Sequence, residues 1–340
     1  MDEIIESRGY SVHGCVHSWM TNVLNQDWNK DLAQYAVLCI ASHVPSQESN
    51  KWWLTRRRIF RHAEKYSGRL LDIIMERDTS WVYYNLGILY TDRGKLKKAK
   101  EMYQRALQGY EEALGPDHAS TLDTVNNIGN LYRDQGKLKE AEEMYHRALQ
   151  GKEKALGPDH ILTLNTVNDL GILYNNQGKL KEAEKMYQRA LQGYEKALGP
   201  DHTSTLNTIN NIGSLYRQQG KLKKAEGICQ RALQDKEKAL GPDHISTLNT
   251  VKNLGILYSD QGKLKEAEKM YQRALQGYEK ALGPDHISTL NTVKKLGILY
   301  SKQEKLKETE KMYRRAPQGF EKAFEPDHTS TLTIVVTIVM

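Results

Sequence analysis

The 340-residue chain carries a net charge of +7, from 49 Lys+Arg against 42 Asp+Glu. Charge this mixed belongs to a solvated helix surface and excludes the concentrated single-sign stripe of a nucleic-acid binder. Three widely spaced cysteines (Cys15, Cys39, Cys229) give no disulfide framework, the acidic start MDEIIESRGY is no secretory signal, and the longest apolar run, TIVVTIVM, falls far short of the ~20 residues that cross a bilayer. No membrane and no nucleic acid are expected as partners, and the location expected is cytoplasmic.

All five tryptophans (Trp19, Trp28, Trp52, Trp53, Trp81) stand at or before 81, and tyrosine dominates afterwards, which marks a change of segment near residues 65–80. The stretch YSVHGCVHSWMTNVLNQDW (10–28) begins like a short strand and passes into an amphipathic helix. DLAQYAVLCIASHV (31–44) reads as a second helix and KWWLTRRRIFRHAEKY (51–66) as a third with a basic face. His13, Cys15 and His17 alternate, but no fourth convergent ligand is apparent and no metal is assigned. Through Val12, His13 and Gly14 the segment resembles the tail of the winged-helix region in STAND or NOD-like receptors, most closely fungal ones. That resemblance implies a nucleotide-sensing role for His13. The motif's Met and Asp are absent, as is a preceding phosphate-binding domain, so His13 reads as an orphan and no cofactor is expected. Residues 1–66 are thus expected to be a winged-helix-like, mostly helical remnant, and 67–79 a linker or partial repeat helix.

A repeat governs the rest. Gly87, Gly129, Gly171, Gly213, Gly255 and Gly297 recur every 42 residues, each inside a near copy of LGILY. Each unit holds two helical patterns. In STLNTINNIGSLYRQQG (204–220), Leu206, Ile209, Ile212, Gly213 and Tyr216 share one face. In KLKKAEGICQRALQDKEKALG (221–241) the stripe is Leu222, Ala225, Ile228, Cys229, Ala232 and Leu233, and Gly220 separates the two helices. Gly213, Ala225 and Ala232 allow close helix crossing. No pair buries both faces alone, so the pairs must stack into a solenoid. Ile128, Gly129, Tyr132, Gly136, Ala141, Tyr145 and Ala148 carry a resemblance to the tetratricopeptide repeat, recurring about six times over 80–327. The unit exceeds the usual ~34 residues through a longer second helix. In that, and in its closing LGPDH, it is similar to kinesin light chains. The fold expected is all-α: a right-handed superhelical solenoid of helix-turn-helix repeats, preceded by the small helical segment.

The GPDH motif raises the question of chemistry, because an aspartate and a histidine adjoin in each copy. In EKALGPDH (195–202), Gly199 suits a helix C-terminus and Pro200 forbids continuation. Asp201 is expected to cap the next helix, with Ser204 three residues on. Equivalent histidines on stacked repeats lie on the order of 10 Å apart, too far to share a metal. No GxxxxGK[ST], HExxH, paired CxxC or GxSxG occurs, so no catalytic residue is assigned and no enzyme is expected.

Function is therefore sought on the first helices, along a stripe at offsets of four, three and four. It reads Asp123, Asn127, Asn130, Asp134; then Asn165, Asp169, Ile172, Asn176; then Asn207, Asn211, Ser214, Gln218; then Asn249, Asn253, Ile256, Asp260. Amides in a row can bond an extended peptide backbone, and a concave wall built of them is the expected groove for a protein or peptide ligand. The competing reading is that Asn is tolerated on any exposed helix face or bonds its neighbouring repeat. Together the two resemblances imply a non-enzymatic interaction scaffold, the sensor arm of a STAND-type receptor. The alternative is a kinesin-light-chain-like cargo adaptor, against which stands the lack of heptads in residues 1–80.

The last unit departs from its predecessor: Gly262 becomes Glu304, Ala267 becomes Thr309 and Leu275 becomes Pro317. A proline within a helix costs roughly 3 kcal/mol. The chain then runs into β-branched residues where a polar cap is due, so 328–340 is expected to be a truncated, frayed tail prone to self-association.

Overall fold

The structure, a computed structural model, describes residues 38–45, 53, 55–56, 59–60 and 79–323, with side chains to 316. His13, Cys15, His17 and the tail 328–340 lie outside the described residues. Twelve helices follow one another from residue 80, and no strand occurs among the described residues. They are α1 (Ser80–Asp92), α2 (Leu96–Leu114), α3 (Ala119–Asp134), α4 (Leu138–Leu156), α5 (Ile161–Asn176), α6 (Leu180–Leu198), α7 (Thr203–Gln218), α8 (Leu222–Leu240), α9 (Ile245–Asp260), α10 (Leu264–Ala281), α11 (Ile287–Lys302) and α12 (Leu306–Ala323). No described helix is long and apolar enough to cross a membrane.

The chain forms two compact units, one of Met1–Asp92 with Lys97–Ala113 and the other of Arg93–Leu96 with Leu114–Met340. In the first unit, residues 38–42 and the described positions between 53 and 60 are helical and lie against α1. Asn85 donates to the Ala41 carbonyl at 3.1 Å, and Phe60 meets Tyr90 edge-on with ring centroids 5.8 Å apart. Arg56, almost fully buried, reaches both the Pro45 carbonyl and Asp92, the latter at 2.9 Å. A guanidinium with acceptors on two sides is a satisfied buried cation, not a spare one.

The second unit stacks five helix pairs, and its core shows why a single pair is not a folding unit. Ala141 and Tyr145 of α4 bury themselves against Leu170 and Leu173 of α5, in the next repeat. Ala183 and Tyr187 do the same with Leu215, and Ala267 and Tyr271 with Leu296 and Leu299. The glycine of LGILY is required by this packing: a Cβ on Gly171 would stand 2.7 Å from the Tyr187 ring, and one on Gly255 would stand 2.8 Å from Tyr271. Glycine on the first helix and tyrosine on the second thus make one joint per repeat.

One joint is different. Cys229 stands where the other repeats carry Tyr103, Tyr145, Tyr187, Tyr271 and Tyr313. Beside it a recess of about 40 Å³ remains, lined by Gly213, Ser214, Arg217, Cys229, Asn253, Ile256 and Leu257. Cys229→Tyr, which restores the ring that fills this joint in the other repeats, is expected to raise the midpoint of urea unfolding.

The GPDH segment works as punctuation, with one correction. Gly199 does end α6, at a φ of 87°. The cap of α7, however, is His202 and not Asp201: its Nδ1 accepts from the Ser204 amide at 3.2 Å. His118, His160, His244 and His286 cap their helices in the same way. Pro200 and Asp201 complete a turn, so the first residue with the extended backbone an N-cap needs is the histidine. Thr205 donates back to the Gly199 carbonyl at 2.8 Å and closes the corner. The aspartates point outward to the following repeat, as in Asp117–Lys154 at 2.8 Å and Asp243–Lys280 at 3.0 Å. Both pairs are exposed and contribute little. Accepting at Nδ1 needs a neutral imidazole, and burial, then the Lys236 charge, holds His244 below the usual histidine range.

In the last pair α12 runs past Pro317 to Ala323. Glu304, in the place of the glycines that end the earlier first helices, has a φ of 59° and is the one described non-glycine residue with a positive φ. A left-handed residue with a Cβ costs roughly 1–2 kcal/mol, so the joint before α12 is the weakest of its kind.

Candidate functional site

Five first helices, α3, α5, α7, α9 and α11, carry the stripe, and consecutive ones touch along the stack. Its members do not share one environment. On α3, α5, α7 and α9 the first position of the rung is an internal acceptor. Asp123 forms an ion pair at 2.6 Å with Lys152, whose side chain is 1% exposed. Asn165 accepts from the Tyr194 hydroxyl at 2.5 Å, and Asn249 from Tyr278 at 2.5 Å. Asn207 accepts from Lys236 at 2.8 Å and from Ser246 at 2.6 Å.

A rule links these contacts. The residue 29 positions after each acceptor alternates Lys152, Tyr194, Lys236, Tyr278, always a buried donor on the second helix of the same repeat. Lys152 has the carboxylate of Asp123. Lys236 has only neutral oxygens: Asn207, the Ser246 carbonyl at 3.3 Å and Thr250 at 3.0 Å. Burial therefore pulls the Lys236 ammonium from its ordinary 10.5 down to about 7. The alternation was visible in the sequence as a swap of Lys for Tyr in otherwise near-identical repeats. Helical periodicity alone could not say which residue faced it.

The second position is half-buried on the same four helices. Asp169 accepts from Asn126 at 2.8 Å and lies 4.0 Å from Arg133; burial raises its carboxyl while Arg133 and Asn126 oppose the rise. Asn211 donates to Asn168 of the preceding repeat at 3.3 Å. Asn127 lies half-buried at the same register, and Asn253 lines the recess beside Cys229. At the third position Asn130 accepts from Tyr145 at 2.7 Å and from Arg133 at 2.9 Å, while Ser214 and Ile256 line the recess. The fourth position is exposed: Asn176 and Gln218 face solvent, Asp134 pairs with Arg133 and Asp260 with Arg217 at 2.7 Å. Inward positions of the stripe thus bond within and between repeats, and outward ones remain accessible.

The stripe also changes charge along the stack, which its first four rungs did not reveal. One rung further, on α11, it reads Asn291, Lys295, Ile298, Lys302. Beside it Asn126, Asn168 and Asn210 give way to Lys252 and Lys294. Burial lowers Lys252 to about 8 and also lowers Lys294, each with a further push from Lys295. The α9–α11 end is positive, while the carboxylates of the α3–α5 end are matched by Lys152 and Arg133.

Helix pairs stacked through a glycine–tyrosine joint, with a polar stripe along one row of helices, define a helical-repeat scaffold. The chain belongs to the tetratricopeptide-repeat family, whose model matches residues 78–154, 121–196, 162–228, 204–280 and 252–322. No curated protein matches the sequence. Among solved structures the fold is similar to NprR in complex with its cognate peptide NprX (TM-score 0.64, 14% identity, covering 94% of this chain and 91% of that one). It is similar also to the STAND protein with a tetratricopeptide repeat sensor PH0952 from Pyrococcus horikoshii (TM-score 0.53, 15% identity, 88% of this chain and 42% of that one). A putative kinesin light chain of Podosopora anserina with nearly identical TPR-like repeats matches at 20% identity over 61% of this chain and 98% of that one, with a TM-score of 0.46.

Proposed function

We propose that the chain is a non-enzymatic interaction scaffold that takes an extended peptide, or a peptide-like segment of a protein, against its first helices. In this reading the first helices form the concave wall. The observation that supports it is an asymmetry of spacing. Consecutive first helices bring Cα atoms within 8 Å of one another at several positions, and consecutive second helices do so less, being linked by ion pairs such as Arg189–Glu153 at 2.7 Å and Arg273–Glu237. A row whose members approach closely lies on the inside of a curve, and a row that must be spanned lies outside. Accessible polar groups on the inner row then meet the ligand's backbone. Acidic ligand residues would sit at the α9–α11 end, where the lysines are in excess. The finer role proposed is the sensor arm of a STAND-type receptor, which rests on the His13 segment and on the likeness to a STAND protein with a repeat sensor.

The test is hydrogen exchange on the full chain with peptides selected from a displayed random library of about 12 residues. Binding is expected to slow exchange in α5, α7, α9 and α11 more than in α6, α8 and α10. Protection concentrated on the second helices, or a library that yields no binder, would overturn the groove.

A further inference from the structure

Cys229 does more than lose a tyrosine ring. The recess it leaves is lined by Ser214, Asn253 and Ile256, all members of the first-helix stripe, with Leu257 and Cys229 at its apolar side. The vacancy therefore falls on the row of helices proposed above as the ligand wall, between α7 and α9. In the repeats that keep the tyrosine, that place is filled from within: Tyr187 is 1% exposed and Tyr271 2%. Cys229 is itself 2% exposed, so the thiol is the floor of the recess and not a surface group.

We infer that this recess is a specificity pocket that receives one short aliphatic side chain, of about valine size, from the bound peptide. The inference rests on the groove reading. Size and chemistry select the occupant. About 40 Å³ is too little for an aromatic ring but suits the tip of a branched aliphatic side chain. Cys229, Ile256 and Leu257 give that tip an apolar floor, and Ser214, Arg217 and Asn253 surround it with a polar rim. Arg217, the strongest charge at the rim, is already matched by Asp260 at 2.7 Å, so a charged side chain gains no partner there. Asn253 also lines the recess and carries an amide able to bond a peptide backbone. Where tyrosines fill the equivalent joints, one missing ring turns a uniform wall into a wall with a register.

The test uses peptides selected on the full chain, measured by fluorescence polarisation on wild type, Cys229→Tyr and Cys229→Ala. Selected sequences are expected to share a Val or Ile at one position, and changing it to Gly should weaken binding about tenfold. Cys229→Tyr should weaken binding by a similar factor while raising the melting temperature, which separates loss of the pocket from loss of the fold. Cys229→Ala, with a deeper floor, should shift the preference at that position towards Leu. If Cys229→Tyr binds the same peptides unchanged, the pocket is overturned and the groove stands. If wild type selects no peptide, groove and pocket fall together.

Discussion

Asp123→Ala is expected to cost about 3 kcal/mol of stability, with no ligand involved. Asp123 is the counter-charge of Lys152, whose side chain is 1% exposed, and the two meet at 2.6 Å. Removing one member of a buried pair costs roughly 3–5 kcal/mol, because the other is left charged in a poor solvent. The lower figure applies here, since Asp123 is 27% exposed and water softens the loss. Lys152 would keep the Leu162 carbonyl at 3.3 Å and Thr166 at 3.1 Å, too few oxygens for three ammonium protons. The protein contains its own control. Two repeats on, Lys236 stands in the same place with an asparagine, Asn207, where Lys152 has Asp123. Asp123→Asn should reproduce that arrangement and remain folded, at a smaller cost of about 1–2 kcal/mol.

Removing the carboxylate should also change the response to pH. Lys236 is held near 7 in the folded state against an ordinary 10.5. Between those values the unfolded chain binds the extra proton, so stability from this group rises with pH from about 7 to about 10.5. Asp123→Asn should add a second group of the same kind, and its urea midpoint should gain more than that of wild type between pH 7 and 10. An unfolding free energy for Asp123→Ala within about 0.5 kcal/mol of wild type would show that Lys152 is not held by this pair.

The stripe shows where sequence reading runs out. Spacing identified which side of each first helix is polar, and the helices lie where the 42-residue period places them. It could not separate a solvent-facing amide from one that bonds Tyr194 or Lys236, because the spacing treats both kinds alike. What separates them is the residue across the joint, 29 positions away, and its identity alternates with no consequence for helical periodicity. The GPDH motif failed in a similar way. Its role at a boundary was legible from Gly199 and Pro200, but the choice of His202 over Asp201 as the cap depends on which residue leaves the turn extended. Cys229 was the clearest missed signal: one cysteine among five tyrosines is visible without coordinates, and only packing turns it into a recess.

Alanine at two equivalent glycines should act with opposite sign. On helix propensity alone each change gains roughly 1 kcal/mol. At Gly171 the new Cβ would lie 2.7 Å from two carbons of the Tyr187 ring, which is 1% exposed and packed against Leu215. The ring has nowhere to go, and overpacking of this kind costs about 1–3 kcal/mol or more. Gly171→Ala is expected to lose about 2 kcal/mol net. At Gly213 the nearest atom is instead the Cys229 sulfur, at the end of a short side chain beside the empty recess. One rotation relieves it, and Gly213→Ala is expected to be neutral or to gain up to about 1 kcal/mol. Because neighbouring repeats support one another, the loss at Gly171 should appear first as faster amide exchange in α5, α6 and α7, ahead of any change in α11. The decisive variant is the double mutant Gly213→Ala with Cys229→Tyr. Each change alone is expected to be harmless or stabilising, yet together they rebuild the Gly171→Ala clash and should lose about 2 kcal/mol relative to the sum of the singles. Additive singles would mean that the glycine–tyrosine joint does not set the distance between these helices.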